Sequence, residues 1–363
     1  MSGTANGIVN SLTSARLPKW VPWALLAGSW FVLAVVFGIL AAGSGGDYNI
    51  VAVVFFGTVL FDLLLVTVSY LVEGSRRAKD RLITSLVSTA FVIAILPLIS
   101  LIFTVVVDGW KRFDIAFFTQ SMRNIVGAGT EQFPGGALHA IVGTLEITGM
   151  ATLISVPIGL LAAIYLVEYG RGPLAKAITL FVDVMTGIPS IVAGLFAFAL
   201  FALLFDDPGI RFGFGGAVAL TLLMIPTVVR SSEEMLKLVP NELREAAFAL
   251  GVPKWLTIIK VVIPTSIAGI ATGVTLAIAR VIGETAPLLI IAGFTSSMNY
   301  DLFNGRMMAL PLFVYTQYAN PGTDVQPYLD RAWAAALTLI LIVMALNLIA
   351  RLIARIFSPK LGR

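Results

Sequence analysis

Apolar positions in this chain are gathered into uninterrupted runs rather than scattered as a core-forming minority. Each long run reaches about 20 residues or more, which is what a helix needs to cross roughly 30 Å of hydrocarbon. The runs predict eight spans, near residues 21–42, 50–72, 82–107, 140–167, 177–205, 215–229, 267–294 and 332–350, with the sixth the shortest. No convincing cleavage site follows the first run, so it reads as a retained span rather than a signal peptide. Three long hydrophilic connections separate the runs, at 108–139, 230–266 and 295–331. The pattern is that of an all-α polytopic membrane protein.

Composition sharpens this picture. Of 363 residues 58% are hydrophobic and 12% charged, against roughly 25% charged in soluble domains, so a soluble globule is excluded. There is no cysteine and one histidine, His139, which removes disulfides, thiolate metal sites and cysteine nucleophiles and leaves no basis for zinc chemistry. Neither a cofactor nor a metal is expected. The phosphate-cradling GxxxxGK[ST] loop is absent, as is any Gly-Lys dipeptide, and His139 has no glycine-elbow serine to partner it. The chain therefore reads as no enzyme, and any ATP that powers it is bound by another subunit. The net charge of +4 follows topology rather than nucleic acid: with the N-terminus inside, inner segments carry 17 of the 24 basic residues, which places both termini in the cytoplasm. Trp110, Phe113, Phe117, Phe118, Tyr300, Phe303, Tyr315, Tyr318 and Tyr328 of the outer segments read as an interfacial aromatic belt. Gly43-Ser44-Gly45-Gly46 is the one flexible turn.

The inner segment 230–266 is punctuated as a short helix. Asn241 is a suitable N-cap, Glu242 and Glu245 suit the positive end of the dipole, Gly251 suits a left-handed terminator, and a second helix can begin at Pro253. Glu245-Ala246-Ala247, three residues, Gly251, nine residues, then Val261-Val262-Ile263-Pro264 resembles the EAA loop of ABC importer permeases, with Val261 for Ile and Ile263 for Leu. The resemblance implies a coupling helix that inserts into a cytoplasmic ATPase, with Glu245, Ala246, Ala247 and Gly251 as its coupling residues. Residues 163–171, 189–196, 235–240 and 276–289 further look like the PstA-type permease of phosphate importers. That likeness covers about 80–356, six spans resembling the type I ABC importer core. It implies residues 1–81 as a two-span extension, 82–356 as the permease domain and 357–363 as a cytoplasmic tail. The implied setting is a bacterial plasma membrane, and the implied partners are a similar second permease, two ATP-binding subunits and an extracytoplasmic phosphate-binding protein, with phosphate as cargo, lipids as surroundings and no nucleic acid.

Charges inside the apolar runs are the candidate pathway. Arg280 stands 13 residues after Ile267 and 14 before Phe294, about 20 Å from either end of a continuous helix. A central Arg costs roughly 2.5–3.5 kcal/mol on insertion scales and should face the protein interior or a wet cavity. Glu284, four residues on, shares its face, and Pro287 would leave the carbonyl of Gly283 unpaired. Arg280 and Glu284 can pair; Arg280 is expected to meet the anion with forked hydrogen bonds and Glu284 to modulate it, the alternative being a buried Arg–Glu pair that only locks helices together. Arg230, closing the sixth span, is a third pathway candidate, with Asp183 and Glu146 as secondary ones. Asp62 is expected to pair locally and His139 to hydrogen-bond at the interface. A proton-coupled secondary anion carrier, a scaffold without transport, and a permease for sulfate or molybdate are the competing functional readings.

Overall fold

A computed structural model describes residues 17–44 and 48–357. Arg16, Gly45, Gly46, Lys360, Arg363 and the tail from 358 onward lie outside the described residues. Among the described residues the regular structure is entirely helical. The chain divides into two compact units, 1–101 and 102–363, the boundary falling inside one helix.

The first unit contains α1 (Val21–Ser44), α2 (Ile50–Glu73) and most of α3 (Ser75–Trp110). Asn49 caps α2 by accepting from the Ala52 N–H at 3.0 Å. The α1 and α2 backbones meet at Gly57, where a Cβ would stand 2.5 Å from Trp30 Cδ1. Asp62 accepts from Ser85 Oγ at 2.5 Å, the local partner expected for a carboxyl at that depth.

The second unit is organised around α8 (Gly213–Lys237), which packs against α5 (Leu138–Ile164), α6 (Pro173–Thr186), α7 (Ser190–Phe205), α11 (Ile263–Val281) and α12 (Ala286–Ile291). Small residues make these approaches possible, as expected where helices meet without a hydrophobic drive from water. A Cβ on Gly159 of α5 would stand 2.7 Å from Val228 Cγ1 of α8. Ile147 and Ala151 of α5, Leu220, Met224 and Val228 of α8, and Ala277 and Val281 of α11 form the central core.

Three predicted spans differ from their sequence outlines. The sixth is not short: α8 continues through the polar residues 230–237 because Ser232 and Leu236 on its inner face stay buried. The fifth is two helices, α6 and α7, bent by 109° at Gly187-Ile188-Pro189, since Pro189 lacks an N–H and drives Ile188 out of helical geometry. The seventh is also two, α11 and α12. Pro287 lies in the first turn of α12, where its missing N–H costs nothing, so the proline interrupts no intrahelical bond and Gly283 sits in the link between α11 and α12 rather than inside a helix.

The bent pair counts as one crossing. Arg244, beyond the end of α8, bonds Glu168 just beyond α5 at 3.0 Å, and Ala163, Leu236 and Val262 share one core cluster. The ends of α5 and α8 therefore lie on one side and the start of α8 on the other, so the intervening chain crosses once, and the bent pair brings the candidate spans to eight. The two short helices pack together: a Cβ on Gly194 of α7 would stand 2.6 Å from Pro287 Cα and 2.9 Å from its carbonyl oxygen. Backbone cannot yield there. Gly194→Val is expected to cost about 1–3 kcal/mol, read as a lower melting temperature of the purified chain, whereas Gly283→Ala, whose Cβ would meet nothing within 4 Å, leaves it unchanged.

At the opposite end from Glu168, α4 (Ile115–Thr119), α13 (Leu310–Ala319) and the start of α14 (Gln326–Phe357) form a second core. Phe117 is its fully buried centre and so leaves the aromatic belt, whereas Trp110, Tyr300, Phe303, Tyr315 and Tyr318 are exposed. His139 is 2% exposed, edge-on to Phe313 at 5.5 Å between centroids, with neither ring nitrogen hydrogen-bonded. The interfacial role expected of it is thereby corrected: Phe313 and the chain around it exclude it from the interface.

Candidate functional site

Arg280 lies in the last turn of α11, next to the helix end at Val281. It is not mid-helix, as a continuous seventh span would require. Its cation sits where the carbonyl end of the helix dipole favours it. Val281 and Ile282 are buried while Arg280 and Gly283 are exposed and Glu284 is half-buried, so the break turns Arg280 out of the packed core. No ion pair joins Arg280 to Glu284 among the described residues, because the helix that would set them one turn apart has ended. Instead Arg280 Nη1 donates to Thr227 Oγ1 of α8 at 3.4 Å.

One turn beyond Thr227, Arg230 is held differently. It bonds Asp183 of α6 and, at 2.9 Å, Glu233 of its own helix. Glu233 also accepts from Lys237 at 2.7 Å. Arg230 therefore lies two turns inside α8 rather than closing it, and two carboxylates neutralise it. Arg280, by contrast, hydrogen-bonds among the described residues only to a neutral hydroxyl. Of the two guanidinium groups on this face, Arg280 is the one whose remaining donors have no hydrogen-bond partner among the described residues.

The second site is the short helix α9 (Asn241–Ala249). Gly251, at φ +75°, ends it in a Schellman arrangement: the Gly251 N–H bonds the Phe248 carbonyl at 2.9 Å and the Val252 N–H bonds that of Ala247 at 3.1 Å. Asn241 is the first helical residue and makes no cap; its Oδ1 accepts from Arg244 Nη1 at 3.3 Å. Arg244 clamps the helix, donating to Glu168 Oε1 (3.0 Å), the Val239 carbonyl (2.6 Å) and the Leu236 carbonyl (3.0 Å). Lys254, the first residue of α10 (Lys254–Thr257), adds a bond to the Glu168 carbonyl and lies 4.8 Å from the Tyr169 ring centroid. Glu168 reaches this position on a widened helical turn, Tyr165–Tyr169, that follows α5, a distortion common at functional sites.

The outward face of α9 and its exit carries Leu243, Phe248, Leu250 and Trp255, all exposed, with Leu250 at 83%. Glu245, Ala246 and Gly251 are also exposed. Ala247 is not; at 8% it packs inward, on the side by which α9 is anchored. The Glu168 side chain is 6% exposed, so removing its partner strands a buried carboxylate at a cost of about 3 kcal/mol. Arg244→Ala is accordingly expected to speed amide exchange across 241–249 by roughly 100-fold, leaving exchange in 217–228 of α8 unchanged.

Residues 155–363 match the family model described as binding-protein-dependent transport system inner membrane component. Phosphate transport system permease protein PstA 1 of Mycobacterium tuberculosis (strain ATCC 25618 / H37Rv) is 47% identical over 279 residues, which are 77% of this chain and 88% of that protein. The PstA of Haemophilus influenzae (strain ATCC 51907 / DSM 11121 / KW20 / Rd) is 40% identical over 278 residues, 76% of this chain and 94% of that one. The chain belongs to the PstA family of permeases. Its fold is that of type I ABC importer permeases. A bacterial alginate ABC transporter, crystallised with an alginate pentasaccharide-bound periplasmic protein, matches with TM-score 0.57 at 15% identity over 78% of this chain and 97% of that one. The inward-facing MetNI methionine ABC transporter matches with TM-score 0.51 at 19% identity over 61% and 96%.

Membership of the PstA family makes the chain a multi-pass inner-membrane permease subunit of a transporter. Several residues that build its two sites carried no signal in the sequence. Thr227, which receives Arg280, looks like any helical threonine. Glu168 and Arg244 are 76 positions apart, with no local pattern linking them. Arg331, counted in the outer loop, is instead 1% exposed in α14. It donates to Gln317 Oε1 at 3.0 Å and the Pro134 carbonyl at 3.4 Å and stacks 4.8 Å from the Tyr328 ring centroid. Arg112 takes the neighbouring Gly135 carbonyl at 2.5 Å, so two guanidinium groups from distant places in the chain hold the Pro134–Gly135 backbone.

Proposed function

We propose that this chain imports inorganic phosphate as one of two permease subunits of an ATP-driven complex, with both termini in the cytoplasm and an extracytoplasmic phosphate-binding protein delivering substrate to the outer segments. The open face of α8 and α11 that carries Thr227, Arg230 and Arg280 is then one wall of a pathway completed by the second permease. Arg280 offers the passing anion its forked donors, Thr227 holds the guanidinium between passages, and Glu284, in the link between α11 and α12, modulates it. The apolar crown of α9 seats in a nucleotide-binding subunit, one of two. Glu168 and Arg244 fasten that crown to the ends of α5 and α8, so a movement of the ATPase is handed to the helices that form the pathway wall.

The observation that carries this reading is the construction of α9: an exposed apolar crown whose inner side is clamped to two spans by a buried ion pair. Such a helix is built to receive force from outside the chain and deliver it to the membrane. The test is reconstitution of the chain with a second permease, the ATPase and the binding protein in vesicles. Phosphate uptake is expected to require ATP, to ignore a collapsed proton gradient, and to resist competition by sulfate or molybdate. Uptake driven by the proton gradient without ATP would overturn the coupling role; uptake in which sulfate competes equally would overturn the substrate.

A further inference from the structure

The turn between α2 and α3 holds a charge cluster to which the proposed transport function gives no role. Glu73 is fully engaged. Its Oε2 accepts from Arg81 Nε at 2.6 Å and Ser69 Oγ at 2.9 Å, and its Oε1 from Arg81 Nη2 at 3.0 Å and the Leu17 N–H at 2.9 Å. With its charge met by Arg81, Glu73 cannot serve Arg77. Beside this pair lies a cavity of about 250 Å³ lined by Glu73, Arg77, Asp80 and Arg81, and Arg77 Nη1 is buried there with no hydrogen-bond partner among the described residues.

A buried guanidinium nitrogen with no acceptor is costly unless something arrives to accept from it. The surroundings favour an anion. Arg76, Arg77, Lys79 and Arg81 outnumber Glu73 and Asp80 between residues 73 and 81, and the cavity opens at the N-terminus of the 36-residue helix α3, whose dipole attracts negative charge. Both flanking helices are long and apolar enough to span a membrane, so the turn lies at the bilayer surface. Leu71 and Ile83 stand exposed on either side of it, at 77% and 62%.

We propose that this cavity binds the headgroup of an anionic phospholipid, its phosphodiester oxygens accepting from Arg77 and its acyl chains running along the exposed apolar side chains that flank the turn. Asp80 faces the headgroup's own donors, which phosphatidylglycerol supplies as hydroxyls. Basic pockets between membrane helices recognise such lipids by this chemistry. The site goes beyond the transport reading and does not depend on it.

The test titrates the full-length chain in neutral detergent with phosphatidylglycerol, phosphatidylethanolamine or phosphatidylcholine and counts bound lipid by native mass spectrometry. Phosphatidylglycerol is expected to bind about tenfold more tightly than either zwitterionic lipid, Arg77→Gln to lose about tenfold of that affinity, and Arg77→Lys to regain part of it. Equal binding of the three lipids by the unaltered chain overturns the proposal, and this comparison needs no variant to fold. Unchanged binding in folded Arg77→Gln also overturns it. So does displacement of phosphatidylglycerol by inorganic phosphate, which would assign the cavity to the free ion.

Discussion

Arg280→Leu is expected to lower ATP-dependent phosphate uptake by roughly 10- to 100-fold while the complex assembles normally and its ATPase continues to turn over. The magnitude follows from the loss of charge-assisted hydrogen bonds to an anion, about 1.5–3 kcal/mol, converted at tenfold per 1.4 kcal/mol. Assembly should survive because the only hydrogen bond the side chain makes within the described residues is one of 3.4 Å to Thr227. Arg280→Lys keeps the charge but loses the fork, and should fall between leucine and the unaltered chain. Arg230→Leu should behave differently, since it frees Asp183 and Glu233 from their shared cation and so disturbs the seam between α6 and α8 rather than the contact with substrate. Near-normal uptake through a fully assembled Arg280→Leu complex would remove Arg280 from the pathway.

The helical class and the number of crossings were legible because each span is a long apolar run and hydrocarbon thickness sets its length. Where the spans break was not. Residues 282–294 are nearly as apolar as those before them, so the pattern gave no reason to stop α11 at Val281; the stop makes sense only once Pro287 is seen against the backbone of α7 at Gly194. That misplacement made Arg280 look like the centre of a helix and Glu284 like its partner. The terminator of α9 was legible because a left-handed glycine is a local requirement. The helix start was not, because Asn241 gives its side chain to Arg244, whose other partners come from α8 and from the turn after α5. Ala247 shows the same limit at single-residue scale: Glu245-Ala246-Ala247 marks the helix, but which alanine faces inward depends on what the helix is clamped to.

Gly251 supplies the other large expected effect. Its φ of +75° lies in the left-handed region, which a β-branched residue rarely enters. A Cβ there would meet nothing within 4 Å, so a substitution acts through backbone conformation and through what it adds to the docking face, not through a clash inside the chain. Gly251→Val should therefore break the Schellman bonds from Gly251 and Val252, at about 1–3 kcal/mol of local strain, and misdirect Leu250 and Trp255, the most exposed apolar side chains near the turn. A membrane-purified complex carrying it is expected to lose its bound ATPase and its uptake together, while the spans keep their melting temperature. Gly251→Asn separates conformation from bulk: asparagine enters the left-handed region more readily than other non-glycine residues, so it should retain the ATPase and most of the uptake despite its larger side chain. If valine and asparagine are equally harmful, the position is sensed by contact with the partner; if both are harmless, the turn at Gly251 plays no part in coupling.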